Sequence, residues 1–253
     1  MKIALLLSGQ PRFVKETAPN ILKNVCEGYD VDTFCHLWFD DGLLNKPYKY
    51  GECNKGEWHK QRISADAIDE AIEAYHPVEL VTEPSKSFTD SAVPFEETLN
   101  RYLYGAKEDP NPENFRRTSI NNCISYFYSL NEVNKLKKIH EYANDFKYDW
   151  VVRCRTDSII HTKIPFEKLD PSVINFSNLQ GQPDGMINDW FDFAGSKEMD
   201  AFMSVFPVWQ LILEKCLREN NGAYCQELMH RKMVDSFGIG IQGHPIHITL
   251  PRF

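Results

Sequence analysis

Short apolar runs alternate along this chain with stretches of helical periodicity. Five runs have the length and the high content of β-branched and aromatic residues that are typical of buried strands: Lys2–Ser8, Asp32–Phe39, Val78–Thr82, Trp150–Cys154 and Val173–Phe176. Apolar residues recur every three or four positions in Ala65–Tyr75 and from Thr118 to about Ala143, which predicts amphipathic helices. Lys197–Asn220 has the same pattern but contains Pro207, which predicts a kink or two segments.

The alternation of strands with helices predicts an α/β fold with a largely parallel central sheet. No repeat or linker composition interrupts the chain, so we expect one domain over residues 1–253. The end of the chain, Ile239–Leu250, is expected to form a final strand or a short hairpin. Two long loops, Gly42–Arg62 and Glu83–Arg117, stand out, and the second is predicted to act as a lid or to flank a cleft.

Composition and charge narrow the class of protein. The net charge of −8 argues against nucleic-acid binding by bulk electrostatics, and no run approaches the ~20 apolar residues of a transmembrane helix. The seven cysteines are scattered, odd in number and without a C-x-x-C pair. We therefore expect a reduced, cytoplasmic protein that has no transmembrane segment and no nucleic-acid partner.

Polar residues follow the predicted strands at the edge where open α/β sheets bind ligands. The first strand runs into Ser8, Gly9, Gln10, Pro11 and Arg12, and "YDWVVRCRTD" ends in Arg153, Arg155 and Asp157. Gly9 permits close approach to a ligand, and the three arginines offer forked donors to phosphate. Two plainer interpretations stay open: a turn closed by Gly and Pro, and a structural Arg–Asp cluster.

A second constellation lies in "NDWFDF", where Asp189 and Asp192 surround Trp190 and Phe191. Aromatic rings stack on sugars and a carboxylate deprotonates a hydroxyl, so this mixture is typical of a carbohydrate site. A solvated loop before a helix is the alternative. Glu227, in "CQELMHRKM", is predicted to be a surface residue, with a position facing the cleft from a late helix as the alternative.

These features resemble, in order along most of the chain, a small nucleotide-sugar glycosyltransferase of GT-A-like fold. The resemblance rests on "ALLLSGQPR", "DTFCHLW", a long helix before "YDWVVRCRTD", and "NDWFDFAGS". It implies a three-layer sandwich in which residues 1–157 bind the nucleotide sugar and residues 158–253 form the acceptor side. It also implies transfer of a sugar to a carbohydrate hydroxyl, as in the synthesis of polysaccharides or surface glycans.

The same resemblance implies roles for individual residues. Arg155-Thr156-Asp157 stands where that fold has Asp-x-Asp, so Asp157 would bind a divalent cation, Mn²⁺ or Mg²⁺. The cofactor-binding set would be Ser8, Gly9, Gln10, Arg12, Arg153, Arg155 and Asp157. Asp189, or else Asp192, would be the catalytic base of an inverting reaction, whereas a retaining reaction needs no such base. Two alternatives remain: a non-catalytic module that binds a glycan or a protein, and another nucleotide-using transferase.

Overall fold

The computed structural model describes residues 1–45, 48–50, 59–61, 63–88, 120–178, 186–220 and 224–251. A sheet of seven strands forms its centre, in the order β10-β8-β9-β6-β1-β2-β5. These strands are β1 (Lys2–Gly9), β2 (Asp30–Trp38), β5 (Glu79–Glu83), β6 (Trp150–Cys154), β8 (Val173–Ser177), β9 (Phe191–Ala194) and β10 (Gly240–His244). Every neighbouring pair is parallel except the two made by β9, which runs antiparallel to β6 and to β8.

Among the described residues, four short strands lie outside the central sheet. They pair antiparallel in two ribbons, β3 (Tyr48–Tyr50) with β4 (His59–Gln61) and β7 (Ile159–Ile160) with β11 (Ile248–Thr249). The helices of the described ranges are α1 (Val14–Ile21), α2 (Asp41–Asn45), α3 (Ala67–Tyr75), α4 (Ile120–Ala143), α5 (Ser196–Phe202), α6 (Trp209–Glu219) and α7 (Gln226–Phe237). A π-helical turn, Leu22–Cys26, extends α1, and 3₁₀ turns form at Phe166–Lys168 and Phe206–Val208.

Both faces of the sheet are buried, because successive side chains of β1 point to opposite layers. Ala4 and Leu6 pack with α4 to α7 in one apolar core. Ile3, Leu5 and Leu7 pack with α1, α3 and the β7 region in the other. This arrangement explains why β1 is a continuous apolar run and not an alternating one.

The structure confirms the predicted α/β class with a mainly parallel sheet. It also confirms the strands Trp150–Cys154 and, within two residues at each end, Lys2–Ser8 and Asp32–Phe39. The kink predicted at Pro207 is a 3₁₀ turn between α5 and α6. Of the two alternatives for the tail, the structure has the strand and not the hairpin: β10 is an edge strand of the central sheet, and β11 pairs with β7 instead of with β10.

The two predicted loops differ in how much of each the structure describes. The described part of Gly42–Arg62 contains most of α2 and the β3–β4 ribbon. The lid predicted in Glu83–Arg117 lies outside the described residues from position 89 onward. The division of the chain at residue 157 stays a prediction. The central sheet takes strands from both sides of that point.

Candidate functional site

A cleft of about 410 Å³ opens at the carboxyl ends of β1, β2 and β6. The chain runs from β1 outward to β2 and β5, then returns to place β6 on the other side of β1. Strand order therefore reverses between β1 and β6, and a crevice forms at such a point because the two flanking connections leave in opposite directions. The walls are Ser8, Gly9, Gln10, Arg12, Trp38, Leu43, Ile63, Asn122, Ser125, Tyr126, Ser129, Arg153, Arg155, Thr156, Asp157 and Asp189.

The floor of the cleft is a turn held by hydrogen bonds between the ends of β1 and β6. Gly9 has a φ of 109°, a conformation that strains any residue with a Cβ atom. The Thr156 hydroxyl donates to the Gln10 carbonyl (2.9 Å) and accepts from the Arg12 amide (3.2 Å). The Arg12 guanidinium donates to the Gln10 side chain. The loop is therefore fixed before any ligand arrives.

Arg155 and Asp157 form a forked ion pair beside this turn. Arg155 Nε and Nη2 donate to the two carboxylate oxygens of Asp157, each at 2.8 Å. Only 2% of the Asp157 side chain is exposed, against 25% for Arg155. Burial raises the pKa of Asp157, but the charge and hydrogen bonds of Arg155, helped by Arg12, lower it on balance below its usual value. Asp157 is therefore a carboxylate at neutral pH.

Arg153 lines the inner end of the cleft and makes its polar contacts with residues behind it. β6 ends at Cys154 and the chain turns there, so Arg153 lies on the strand whereas Arg155 lies beyond it. Arg153 Nη1 donates to the Asp189 carbonyl and lies 3.3 Å from Asp192 Oδ2, while the guanidinium covers the Tyr126 ring at 4.9 Å. The pair Arg153–Asp192 is fully buried.

The two aspartates of "NDWFDF" have different positions. Asp189 is half-buried and lines the cleft. Asp192, on β9, is fully buried behind Arg153 and does not line the cleft. Burial raises the pKa of Asp192 to about 8, more than the positive charge of Arg153 lowers it. Glu227, at the start of α7, is half-buried, and burial and the charge of Asp189 raise its pKa. The acidic end of the cleft thus contains Asp189 with Glu227 nearby.

The sequence did not single out the helix wall of the cleft. Asn122, Ser125 and Ser129 lie at positions i, i+3 and i+7 of α4 and so occupy one face of the helix, which here lines the cleft. The sequence feature that could have revealed this wall is the spacing of these three polar residues along a helix whose buried face is otherwise mostly apolar. Trp38, at the end of β2, and Ile63 form an apolar wall, also missed.

The divalent cation expected at Asp157 stays a prediction. Both oxygens of Asp157 already accept hydrogen bonds from Arg155. Within the described ranges, no group of three or more His, Cys, Asp and Glu side chains has the spacing to hold a metal ion. Asp157 would therefore contribute one ligand, and the rest would come from water or from a bound anion.

Two further sequence expectations bear on where the protein works. The six cysteines that the structure describes are free thiols. Among the described helices, none is both long enough and apolar enough to cross a membrane. The cytoplasmic location stays a prediction.

Comparison with known proteins gives a different relative from the one that the motifs suggested. No protein-family model matches the chain. The chain is similar to the histidine–tRNA ligase of Methanocaldococcus jannaschii, with 27% identity over 206 residues. That alignment covers 76% of this chain and 44% of the ligase, so the chain spans less than half the length of this relative.

This similarity overturns the glycosyltransferase interpretation. Because the relative is a tRNA ligase, four predictions are wrong: the resemblance, the transfer of a sugar, the classification as a glycosyltransferase and the set of partners. Those predicted partners were a nucleotide-sugar donor and a carbohydrate acceptor, with no nucleic acid. The alternatives of a GT-A-like binding module and of another nucleotide-using transferase gain no support either. The motifs misled because polar and basic residues at strand ends occur generally in α/β sheets that bind anionic ligands. Similarity of fold does not determine which reaction a protein catalyses.

Proposed function

We propose that the cleft binds a nucleoside phosphate and that the chain has a function related to that of tRNA ligases. The observation that carries the first part is the position of Arg12 and Arg155 at the topological switch point, beside the backbone turn at Gly9. Guanidinium groups donate in pairs to phosphate oxygens, and glycine lets the backbone approach them. The second part rests on the similarity to histidine–tRNA ligase.

The walls of the cleft suit the three parts of a nucleotide. The arginine side would take the phosphates. Trp38 and Ile63 offer an apolar surface to a base, and Asn122 and Ser125 offer neutral hydrogen-bonding groups to a ribose. Joining an amino acid to a tRNA hydroxyl is unfavourable in water, so a ligase couples it to cleavage of a nucleoside triphosphate. A nucleotide site is therefore the part of a ligase that this cleft supports best.

Asp189 is proposed as the acid–base group of the cleft, because it is the carboxylate of "NDWFDF" that lines it. Asp192 is proposed to support Arg153 from behind and not to touch the ligand. The set Ser8, Gly9, Gln10, Arg12, Arg153, Arg155 and Asp157 stays the proposed nucleotide-binding set, and all seven line the cleft.

The finer fold expectation, a GT-A-like three-layer arrangement, is proposed as architecture only. It is supported by one antiparallel strand, β9, in an otherwise parallel sheet and by buried cores on both faces. An experimental structure superposed on proteins of that fold would test it, and a different strand order would reject it.

The proposed function is tested by calorimetric titration of the chain with ATP, GTP, CTP and UTP, each with and without Mg²⁺ or Mn²⁺. We expect one nucleotide to bind, and Arg12→Gln and Arg155→Gln to weaken it at least about tenfold, since hydrogen bonds to charged groups are worth about 1.5–3 kcal/mol. Arg231→Gln is the matched control, because Arg231 pairs with Asp235 on α7 and does not line the cleft. Absence of binding to any nucleotide at millimolar concentration would reject the proposal.

The ligase part has its own test. Histidine-dependent exchange of pyrophosphate into ATP would be measured with the nineteen other amino acids as controls. Exchange that depends on one amino acid supports a ligase-related function, and nucleotide binding without any exchange removes that part and leaves a nucleotide-binding protein.

A further inference from the structure

Ser129 is in the wall of the cleft, and His36 and then Glu83 lie behind it. Ser129 is on the cleft-lining face of α4, and its Oγ lies 2.8 Å from Nδ1 of His36 on β2. On the far side of the imidazole, Nε2 lies 3.8 Å from Glu83 Oε2 on β5. His36 is fully buried and Ser129 is 2% exposed.

The position of Ser129 within its helix is informative. A serine inside a helix commonly satisfies its hydroxyl by bonding to the carbonyl four residues earlier. Ser129 Oγ instead lies 2.8 Å from the imidazole and 3.4 Å from the His36 carbonyl. The hydroxyl is therefore held by β2, at the cleft wall.

The surroundings of His36 determine which ring nitrogen carries the proton. Burial, the largest influence, lowers the pKa of His36, although the charges of Glu83 and Glu132 oppose it; Lys86 lowers it further. The ring is thus neutral at neutral pH and has one N–H. Nε2 faces the Glu83 carboxylate without being in hydrogen-bonding distance of it, so a proton there is attracted whereas a lone pair would be repelled.

With the proton on Nε2, Nδ1 is an acceptor and must take the proton of the Ser129 hydroxyl. The serine oxygen then has only lone pairs to offer toward the cleft. We propose that Ser129 is a ligand-contacting hydrogen-bond acceptor and that His36 is the positioning residue that makes it one. The group that it recognises would be a neutral donor of the nucleotide, a sugar hydroxyl or an exocyclic amine. This inference rests on the proposed nucleotide function and deepens it.

The ligand-free protein gives the first test. Long-range ¹H–¹⁵N NMR of the histidine side chains distinguishes the two tautomers. We expect the Nε2–H tautomer for His36 and a shift of its Nδ1 resonance in Ser129→Ala. An Nδ1–H tautomer would overturn the inference whether or not a nucleotide binds.

The second test is a double-mutant cycle on nucleotide affinity, with ATP as the first probe. Ser129→Ala and His36→Phe should each weaken binding about three- to tenfold, as expected for one hydrogen bond. In the Ser129→Ala background, His36→Phe should cost little more, because the residues act through one contact. His36→Asn, whose amide oxygen replaces the acceptor Nδ1, and Ser129→Thr, which keeps the hydroxyl, should restore most of the affinity.

The outcomes separate the two proposals. If the wild-type chain binds a nucleotide but the two substitutions weaken it additively, the role of His36 is merely structural and this inference fails alone. If no nucleotide binds the wild-type chain, both the proposed function and the proposed contact of Ser129 with a nucleotide are rejected. Thermal unfolding of each variant shows whether it has folded.

Discussion

Two buried aspartates in one protein show how the partner and its geometry set a carboxyl group's pKa. Asp157 accepts two hydrogen bonds from Arg155 at 2.8 Å, and its pKa is lowered on balance. Asp192 faces Arg153 at 3.3 Å through one oxygen, while its other oxygen has no hydrogen-bond partner among the described residues, and burial raises the pKa of Asp192 to about 8. The difference lies in how fully each carboxylate's hydrogen bonds replace its lost water.

Asp157→Asn removes the charge of the forked pair while keeping the shape of the side chain. The pKa of Asp157 is lower in the folded state than in the unfolded state. The ionised carboxylate therefore stabilises the protein fully at a pH above the unfolded-state pKa, and this stabilisation is lost as the pH falls through the folded-state pKa. At pH 7 we expect a loss of about 1–3 kcal/mol in the free energy of unfolding, measured by urea denaturation. The loss should shrink as the pH falls toward 3; a loss independent of pH would contradict this account.

Asp192→Asn should have the opposite pH dependence. The folded pKa of Asp192 lies above its unfolded value, so the folded state retains a proton that the unfolded state has lost. The wild-type chain should therefore lose stability relative to the variant between pH 5 and pH 8, by more than about 1 kcal/mol, since one pKa unit corresponds to about 1.4 kcal/mol. Parallel urea-denaturation profiles for the two proteins over this range would show that Asp192 is ionised throughout.

At the scale of elements, helix α4 is attached to α5 by a buried ionic network. Lys137 is fully buried, and its ammonium contacts Ser196 Oγ at 2.7 Å, Asp200 Oδ1 at 2.9 Å and Glu141 Oε2 at 3.3 Å. Glu141 in turn accepts from Ser196 and from Lys147. The network satisfies charges that would otherwise be buried without partners.

Lys137→Ala should destabilise the protein by about 3–5 kcal/mol, because it leaves the buried Glu141 without one of its cations. Lys135→Ala is the control on the same helix: Lys135 is 57% exposed, pairs only with Glu132 among the described ion pairs, and should cost less than about 1 kcal/mol. Urea denaturation of both variants at pH 7 measures the contrast. Equal effects would mean that the network contributes no more than a surface ion pair.

The elements that the sequence predicted are those whose apolar pattern does not depend on the rest of the fold. β1, β6 and α4 follow from runs and periodicity alone. β9 could not be predicted in this way, because "FDFA" contains an aspartate. That aspartate, Asp192, is tolerable inside the sheet only because it lies opposite Arg153 in the register of β6 and β9. That pairing joins positions 39 residues apart, so no local pattern reveals it.

The candidate site was predicted in part for the same reason. The polar strand-end residues of the cleft were found, because parallel strands bring their carboxyl ends to one edge. The α4 wall was missed, since which helix face covers that edge is decided by packing. Trp38 was missed although it ends β2, because only polar strand-end residues were singled out. The reaction was misjudged because the same polar edge serves many chemistries.

At the scale of the whole molecule, the two halves of the chain share one sheet. β6 lies between β1 of the first half and β9 of the second, and both helical layers pack on strands from each half. Separating the halves would expose the β6 edge and a face of each core to water, a cost that a 157-residue fragment has no means to offset.

We therefore expect one cooperative unfolding transition, with circular dichroism and tryptophan fluorescence giving the same midpoint in urea. A fragment of residues 1–157 should be unfolded or aggregated on its own, because β6 would lose its pairing with β9. The full chain carrying Lys135→Ala, an exposed change, serves as the folded comparison. Two separated transitions, or a fragment with native-like amide-exchange protection, would instead divide the chain into two domains near residue 157.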